Sequence, residues 1–296
     1  MGASGGILPR WYPYRQSIAF IGVEPDARSI PALLESPEAK AFKSYRILPC
    51  GAWSQSGTVK IQFTRKPMCS SHFTPNVPFL SRFPEAERFD VVGSGEIECR
   101  TVDDLFAGSD APVDFIKLDL EGAELAVLEG AGRVLDSCLG LHVEVCFQSI
   151  RKEQPLFGDV AAFLRQRGID FVDFVSLCRW ERDSLSGLGQ AVHADALFLR
   201  GPERVADRSA GVQLTPRRAR VYLAILMIYE RFDLALRFLD LLRESDVALE
   251  RRELQGFAGM LKRRRASLNR RYRLVSALGR TFSRVAGQQY GVHYIY

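Results

Sequence analysis

The sequence has 296 residues, 47% of them hydrophobic and 25% charged, with a formal net charge of +5. That composition is globular and long enough for one large domain or two smaller ones. It argues against a secretory leader or a membrane span: residues 1–17 lack an apolar core, and the longest apolar run, 221–229, is half of what a bilayer needs.

The six cysteines, at 50, 69, 99, 138, 146 and 178, form no CxxC pair and no metal-ligand spacing with the four histidines. No metal is therefore expected, and free cysteines inside apolar stretches fit a soluble protein of the reducing cytoplasm. Charge is unevenly placed. Residues 201–296 hold 19 Lys+Arg against 9 Asp+Glu, and the remainder holds 21 against 26.

In chain order, the apolar run 18–24 predicts a buried strand and 28–43 a helix. Residues 45–53 predict a second strand, and the alternation over 57–64 a half-exposed third. A loop rich in Ser, Pro and Asn fills 69–79, and 96–105 reads as a strand leading into a short turn. Then come a strand at 115–120, a helix at 123–130, a strand at 139–147, a helix at 157–168 ended by Gly168, and strands at 169–175 and 193–200. Strands alternating with helices predict an α/β domain over 1–200 with a largely parallel sheet. Beyond 201 the pattern is helical, a basic extension over 201–296. Thr215 is placed to cap a helix with Pro216 at its first position. The apolar runs 221–229 and 234–242 suggest an antiparallel pair, with basic helices following.

Two carboxylates stand out where strand 115–120 becomes a helix. Ile116, Leu118 and Leu120 alternate with Phe115, Lys117 and Asp119, so Asp119 faces away from the leucines at the strand's carboxyl end, with Glu121 and Gly122 in the turn. Open parallel sheets bind ligands at that edge. Two carboxylates there suit a cationic ligand or a proton to be accepted; the competing reading is a helix cap and a backbone acceptor. Near the start, Gly2, Gly5 and Gly6 precede a strand that ends in Glu24, a pattern that grips nucleoside cofactors. The loop does not fit G-x-G-x-x-G, which disfavours a dinucleotide and hence a nicotinamide oxidoreductase.

The segments GASGG, FIGVEPDA, LPCGAWSQSGTVKIQFT, CSSHFTPN, CRTVDDL, DFIKLDLEGAELAVLEGA, HVEVCF, QPLF and ADALFLR occur in the order seen in FkbM-type S-adenosylmethionine-dependent methyltransferases. The resemblance covers roughly residues 2–200, with K-x-D-x-E-G-x-E at 117–124 its most specific piece. It implies a Rossmann-like methyltransferase domain that methylates a hydroxyl of a glycan or similar natural product. By the same resemblance Gly2, Gly5 and Gly6 line the methionine half of S-adenosylmethionine, and Glu24 binds its ribose. The turn at 50–54, around Ala52, borders the adenine, and Asp119 stands beside the sulfonium with Glu121 next to it. Asp119 is the first choice for a catalytic base and Glu121 the second; His72 and His193 rank below them.

In the family a strand precedes the glycine loop, whereas here Met1 directly precedes Gly2. The expectation is a sheet lacking its first strand. Either the natural start lies upstream, or the chain is an N-terminally truncated, inactive homologue that serves as a binding or interaction module. The basic run 251–284 suggests contact with an anionic membrane or substrate, or a structural role. Its sparse aromatics give nucleic acid little support.

Overall fold

The computed structural model describes residues 1–270 apart from 4–5, 110, 183–188, 208–212, 246, 248, 251, 264–265 and 268–269. It is a mixed α/β architecture with three sheets among the described residues. The largest is four-stranded, built from β6 (Phe115–Leu118), β7 (Gly140–Cys146), β8 (Asp170–Trp180) and β9 (Gln190–Leu199), in the order β6-β7-β9-β8. β6 and β7 run parallel, while β9 is antiparallel to both of its neighbours. The expected largely parallel sheet is thus corrected to a mixed one. The reason is the short link between β8 and β9, residues 181–189: a parallel crossover needs about a dozen residues or more.

Strand alternation gives this sheet two unlike faces. Leu118 of β6, Leu141, Val143 and Val145 of β7, and Ala194, Ala196 and Phe198 of β9 point into the main core. There they meet α5 (Glu124–Glu129), α6 (Gly132–Ser137) and α7 (Phe157–Gln166) through Val127, Leu128, Leu135, Val160 and Leu164. Each such side chain contributes roughly 1.5–3 kcal/mol when fully buried. The opposite face carries Lys117, His142, Glu144, His193 and Asp195. It becomes apolar again at Cys146 and Val192, which pack in a second cluster with Phe79, Phe83, Phe89 and Ile150.

A two-stranded parallel ladder, β1 (Ala19–Val23) on β2 (Ser44–Leu48), forms a separate sheet. The predicted strand 45–53 divides: β3 (Gly51–Ala52) leaves β2 to pair with β5 (Val91–Arg100), which also pairs antiparallel with β4 (Gly57–Thr64). Gly51 permits this approach, since a Cβ there would lie 2.5 Å from the Cys99 sulfur. The predicted helix 28–43 also divides, into α1 (Ile30–Glu35) and α2 (Pro37–Ala41). Ser36 precedes Pro37, which disfavours helical backbone at Ser36 (ψ 146°); its hydroxyl instead caps α2 by accepting from the Ala39 amide.

The helical extension follows the short α8 (Pro202–Ala206). α9 (Pro216–Ile228) starts as expected, with the Thr215 hydroxyl accepting from the Arg218 amide at 3.2 Å. A left-handed Glu230 (φ +57°) ends it: the Arg231 amide donates to Leu226 O and the Glu230 amide to Met227 O, a Schellman turn into α10 (Phe232–Arg243). A further helix spans 252–263. The chain divides into two compact units between Tyr222 and Leu223, inside α9. Residues before that point are tied to the α/β part by Arg217–Asp114 at 2.7 Å and by Tyr222 donating to Arg200 O. Most of the basic run 251–284 lies outside the described residues. Among the described residues, no helix is long and apolar enough to cross a membrane.

Candidate active site

β6 ends at Leu118, and the next residues turn sharply into α5. Glu121 takes left-handed backbone (φ +56°) and Gly122 follows at φ +104°. For a residue with a side chain that conformation costs about 1–2 kcal/mol, so the turn is maintained by its surroundings. Ser71 donates its hydroxyl to Glu121 O at 2.7 Å, and the Leu120 amide donates to the Glu124 carboxylate at 2.7 Å.

The turn gathers charge. Asp119 leaves the strand on the polar face, where Lys117, two residues earlier, reaches its carboxylate at 2.8 Å. The parallel register pairs Lys117 with His142, so Asp119 comes alongside Glu144 of β7. Carboxylate oxygens of Asp119, Glu121 and Glu144 lie within 4.8 Å of one another. Each has its own basic partner: Lys117 for Asp119, the fully buried Arg151 for Glu121, and His193 Nδ1 at 3.0 Å for Glu144. Arg151 also donates to Cys69 O at 3.0 Å, and its own amide is fixed by the Gln154 carboxamide oxygen at 2.6 Å.

Glu121 keeps 31% of its side-chain surface, yet the surrounding protein is dense enough that desolvation pushes its pKa up to about 7. Arg151 pulls the other way, and Glu144 adds to the rise. His193 is raised even though burial opposes it, because the hydrogen bond and charge of Glu144 win, with Glu121 and Asp195 adding. The buried Glu124, behind the turn, is pushed up to about 8 by burial and then by Glu144.

Glu124 carries a stability prediction. A carboxyl raised from 4.5 to about 8 stays protonated in the folded chain while the unfolded chain ionises. Stability therefore falls as pH rises between those values, by up to about 1.4 kcal/mol per pH unit. Glu124→Gln keeps an acceptor for the Leu120 amide and removes the titration. Urea unfolding at pH 5, 6, 7 and 8 should show a flatter decline in the variant, and equal declines would show that Glu124 ionises freely.

The residues singled out from the sequence converge in part. Met1 donates its amine to Lys117 O at 2.7 Å, and Ala3 lies against Gly22 of β1, so residues 1–3 sit between β1 and β6. Gly2, at φ +73°, comes so close to Asp119 that a Cβ would lie 2.1 Å from its carbonyl oxygen. Glu24, buried just past β1, accepts from the Asp26 amide at 3.1 Å, and both it and Asp119 exert a coulombic pull on the Met1 amine. Gly2, Glu24 and Asp119 thus share one neighbourhood. Gly6 is left-handed (φ +71°) with open space beside it, and Gly5 lies outside the described residues.

Ala52 is held elsewhere. Gly130, at the end of α5, would place a Cβ 2.3 Å from Trp53 O, so the turn around Ala52 packs at the helix end opposite Glu124, roughly 9 Å along the axis. His72 binds Lys60 O through Nδ1 at 3.0 Å and packs its ring 4.8 Å from Trp53. It borders a cleft of about 530 Å³ with Lys60, Gln62, Val91, Gly93 and Ser94 rather than the carboxylates. His193 joins them. Glu144 and Arg151 escaped the sequence reading. The alternation of His142, Glu144 and Cys146 against buried valines marked Glu144 as facing the polar side; Arg151 carried no local signal.

The family model for the methyltransferase FkbM domain matches residues 13–171 of the chain. No curated protein and no solved structure matches it.

Proposed function

The chain belongs to the FkbM methyltransferase family, and on that premise we propose an S-adenosylmethionine-dependent O-methyltransferase acting on a hydroxyl of a glycan or similar natural product. The observation that carries this reading is the convergence of Gly2, Glu24 and Asp119 beside the Asp119–Glu121–Glu144 carboxylates. The donor set fits the cofactor: a buried strand-end carboxylate suits ribose hydroxyls, the open space beside the left-handed Gly6 suits a chain lying against its backbone, and several carboxylates suit a sulfonium. When bound, S-adenosylmethionine supplies a methyl group activated by positive sulfur. Glu24 accepts hydrogen bonds from ribose, and Asp119 presents negative charge on the polar face, its position fixed by Lys117. A carboxylate of the turn receives the proton that the acceptor hydroxyl must lose. Most of the remaining rate enhancement comes from orienting two bound partners.

Calorimetric titration of the full chain with S-adenosylmethionine tests this directly. Glu24→Ala should weaken binding at least about tenfold, or 1.4 kcal/mol, the range for a hydrogen bond to a charged group. A folded chain that takes up no S-adenosylmethionine would overturn the reading, and unchanged affinity in the variant would remove Glu24 from it.

A further inference from the structure

The three carboxylates at the end of β6 and β7 are more closely balanced than a simple anionic pocket. Asp119, Glu121 and Glu144 face Lys117, Arg151 and His193, three acidic groups against three basic ones. The net sign depends on where one proton resides. Resting on the cofactor reading above, we propose that Glu121, with the Glu144–His193 pair behind it, is the proton store of the methyl transfer: it gives up a proton when a sulfonium docks and takes the acceptor's proton as that charge is spent.

Burial and mutual exclusion act together on the charge of this cluster. Carboxylates within a few ångströms of each other resist being charged together. Glu121 feels Asp119 from the end of β6 and Glu144 from β7, and the buried Glu124 of α5 in turn feels Glu121. Cys69 approaches from the loop before the turn, and His193, whose own environment includes Asp195, approaches from β9. Against these stands Arg151, whose guanidinium is tied to Glu121 and to Cys69 O. Burial, opposed by Arg151 and reinforced by Glu144 and Asp119, leaves Glu121 titrating near neutrality, about 7. An added positive charge within about 4–6 Å lowers a carboxyl's pKa by about 1–3. With a sulfonium held at these carboxylates, Glu121 would give up its proton and would then be able to act as a base.

The chemistry balances. The acceptor oxygen forms a bond to the methyl carbon with its own electron pair while the carbon–sulfur bond breaks and its pair stays on sulfur. The hydroxyl proton passes to the Glu121 carboxylate. Positive sulfur becomes neutral in the same event, so the carboxylate regains its raised affinity at the moment a proton arrives. The Glu144–His193 bond provides the onward relay: protonated Glu121 lies beside Glu144, whose partner His193 is 27% exposed and can exchange with water.

The test needs no acceptor. Heats of binding of S-adenosylmethionine and of S-adenosylhomocysteine to the full chain are measured at pH 7 in phosphate and in Tris, whose ionisation heats differ; the difference counts protons released. The two ligands share every titrating group and differ in the sulfonium. S-Adenosylmethionine should release on the order of half a proton more than S-adenosylhomocysteine, because a group titrating near 7 is half loaded there. Glu121→Gln should abolish that difference while binding persists, and Glu144→Gln should reduce it, providing a second measure should the first variant fold poorly. Equal proton release for both ligands, or a difference that survives Glu121→Gln, would overturn the proposal and leave the cofactor reading intact. Absence of binding by either ligand would overturn both.

Discussion

Glu121→Gln is expected to lower turnover by about 10²–10⁴-fold, the usual effect of removing a positioned base. Gln preserves the size, the left-handed turn and one acceptor oxygen for Arg151, so cofactor affinity should change far less. Asp119→Asn is the informative contrast. Asp119 is the first choice on sequence grounds, but its carboxylate is held by Lys117 at 2.8 Å and keeps 40% of its side-chain surface, the environment of a solvated, ion-paired group. Its loss should weaken cofactor binding more than it slows the saturated enzyme. Methyl transfer from labelled S-adenosylmethionine to a hydroxylated acceptor, with kcat and KM resolved for both variants, separates the roles. A larger kcat loss in Asp119→Asn than in Glu121→Gln would return the base assignment to Asp119.

Arg200→Met is expected to cost about 3–5 kcal/mol of folding stability, although Arg200 touches none of the carboxylates. The residue directly follows β9 and is 2% exposed. Its guanidinium donates to Leu135 O at 2.6 Å, Asp136 O at 3.1 Å and Cys138 O at 2.8 Å, and to Arg167 O at 3.0 Å. Those carbonyls belong to the closing turn of α6 and to the C-cap of α7. One planar, permanently charged fork thus satisfies the ends of two helices and opposes both dipoles. Met fills similar space without a donor and leaves several buried carbonyls unpaired, each costing about 1–3 kcal/mol, partly offset by relaxation. Arg200→Lys should recover only part of the loss, since a single ammonium cannot reach the same set. Urea midpoints for the three proteins give the answer, and a loss below about 1 kcal/mol for Met would mean that water takes over the carbonyls.

Local pattern made much of this fold legible. β4 has the bounds its alternation predicts, β7 follows the run 139–147 closely, and α9 starts at Thr215–Pro216 as capping chemistry requires. The division of 28–43 was also written locally, in Ser36–Pro37, but the apolar periodicity across it reads more strongly than the single proline. What stayed hidden is non-local. The antiparallel entry of β9 depends on which neighbour it pairs with, not on its composition. Asp119 and Glu121 could be singled out because a strand turning into a helix is visible in the residues themselves. Glu144 needed the β6–β7 register, and Arg151 needed a loop 30 residues further along the chain to fold back onto Glu121.

The left-handed backbone at Glu121 sets the evolutionary terms for this turn. Glycine adopts φ +56° without penalty, so replacing Glu121 by glycine would relieve roughly 1 kcal/mol of backbone cost, but it would leave the buried Arg151 guanidinium without its carboxylate, a loss of about 3–5 kcal/mol. The glutamate is thus held in place by its ion pair against the preference of its own backbone. Glycine at 121 becomes favourable only in a chain that has also replaced Arg151, so the two positions are expected to change together.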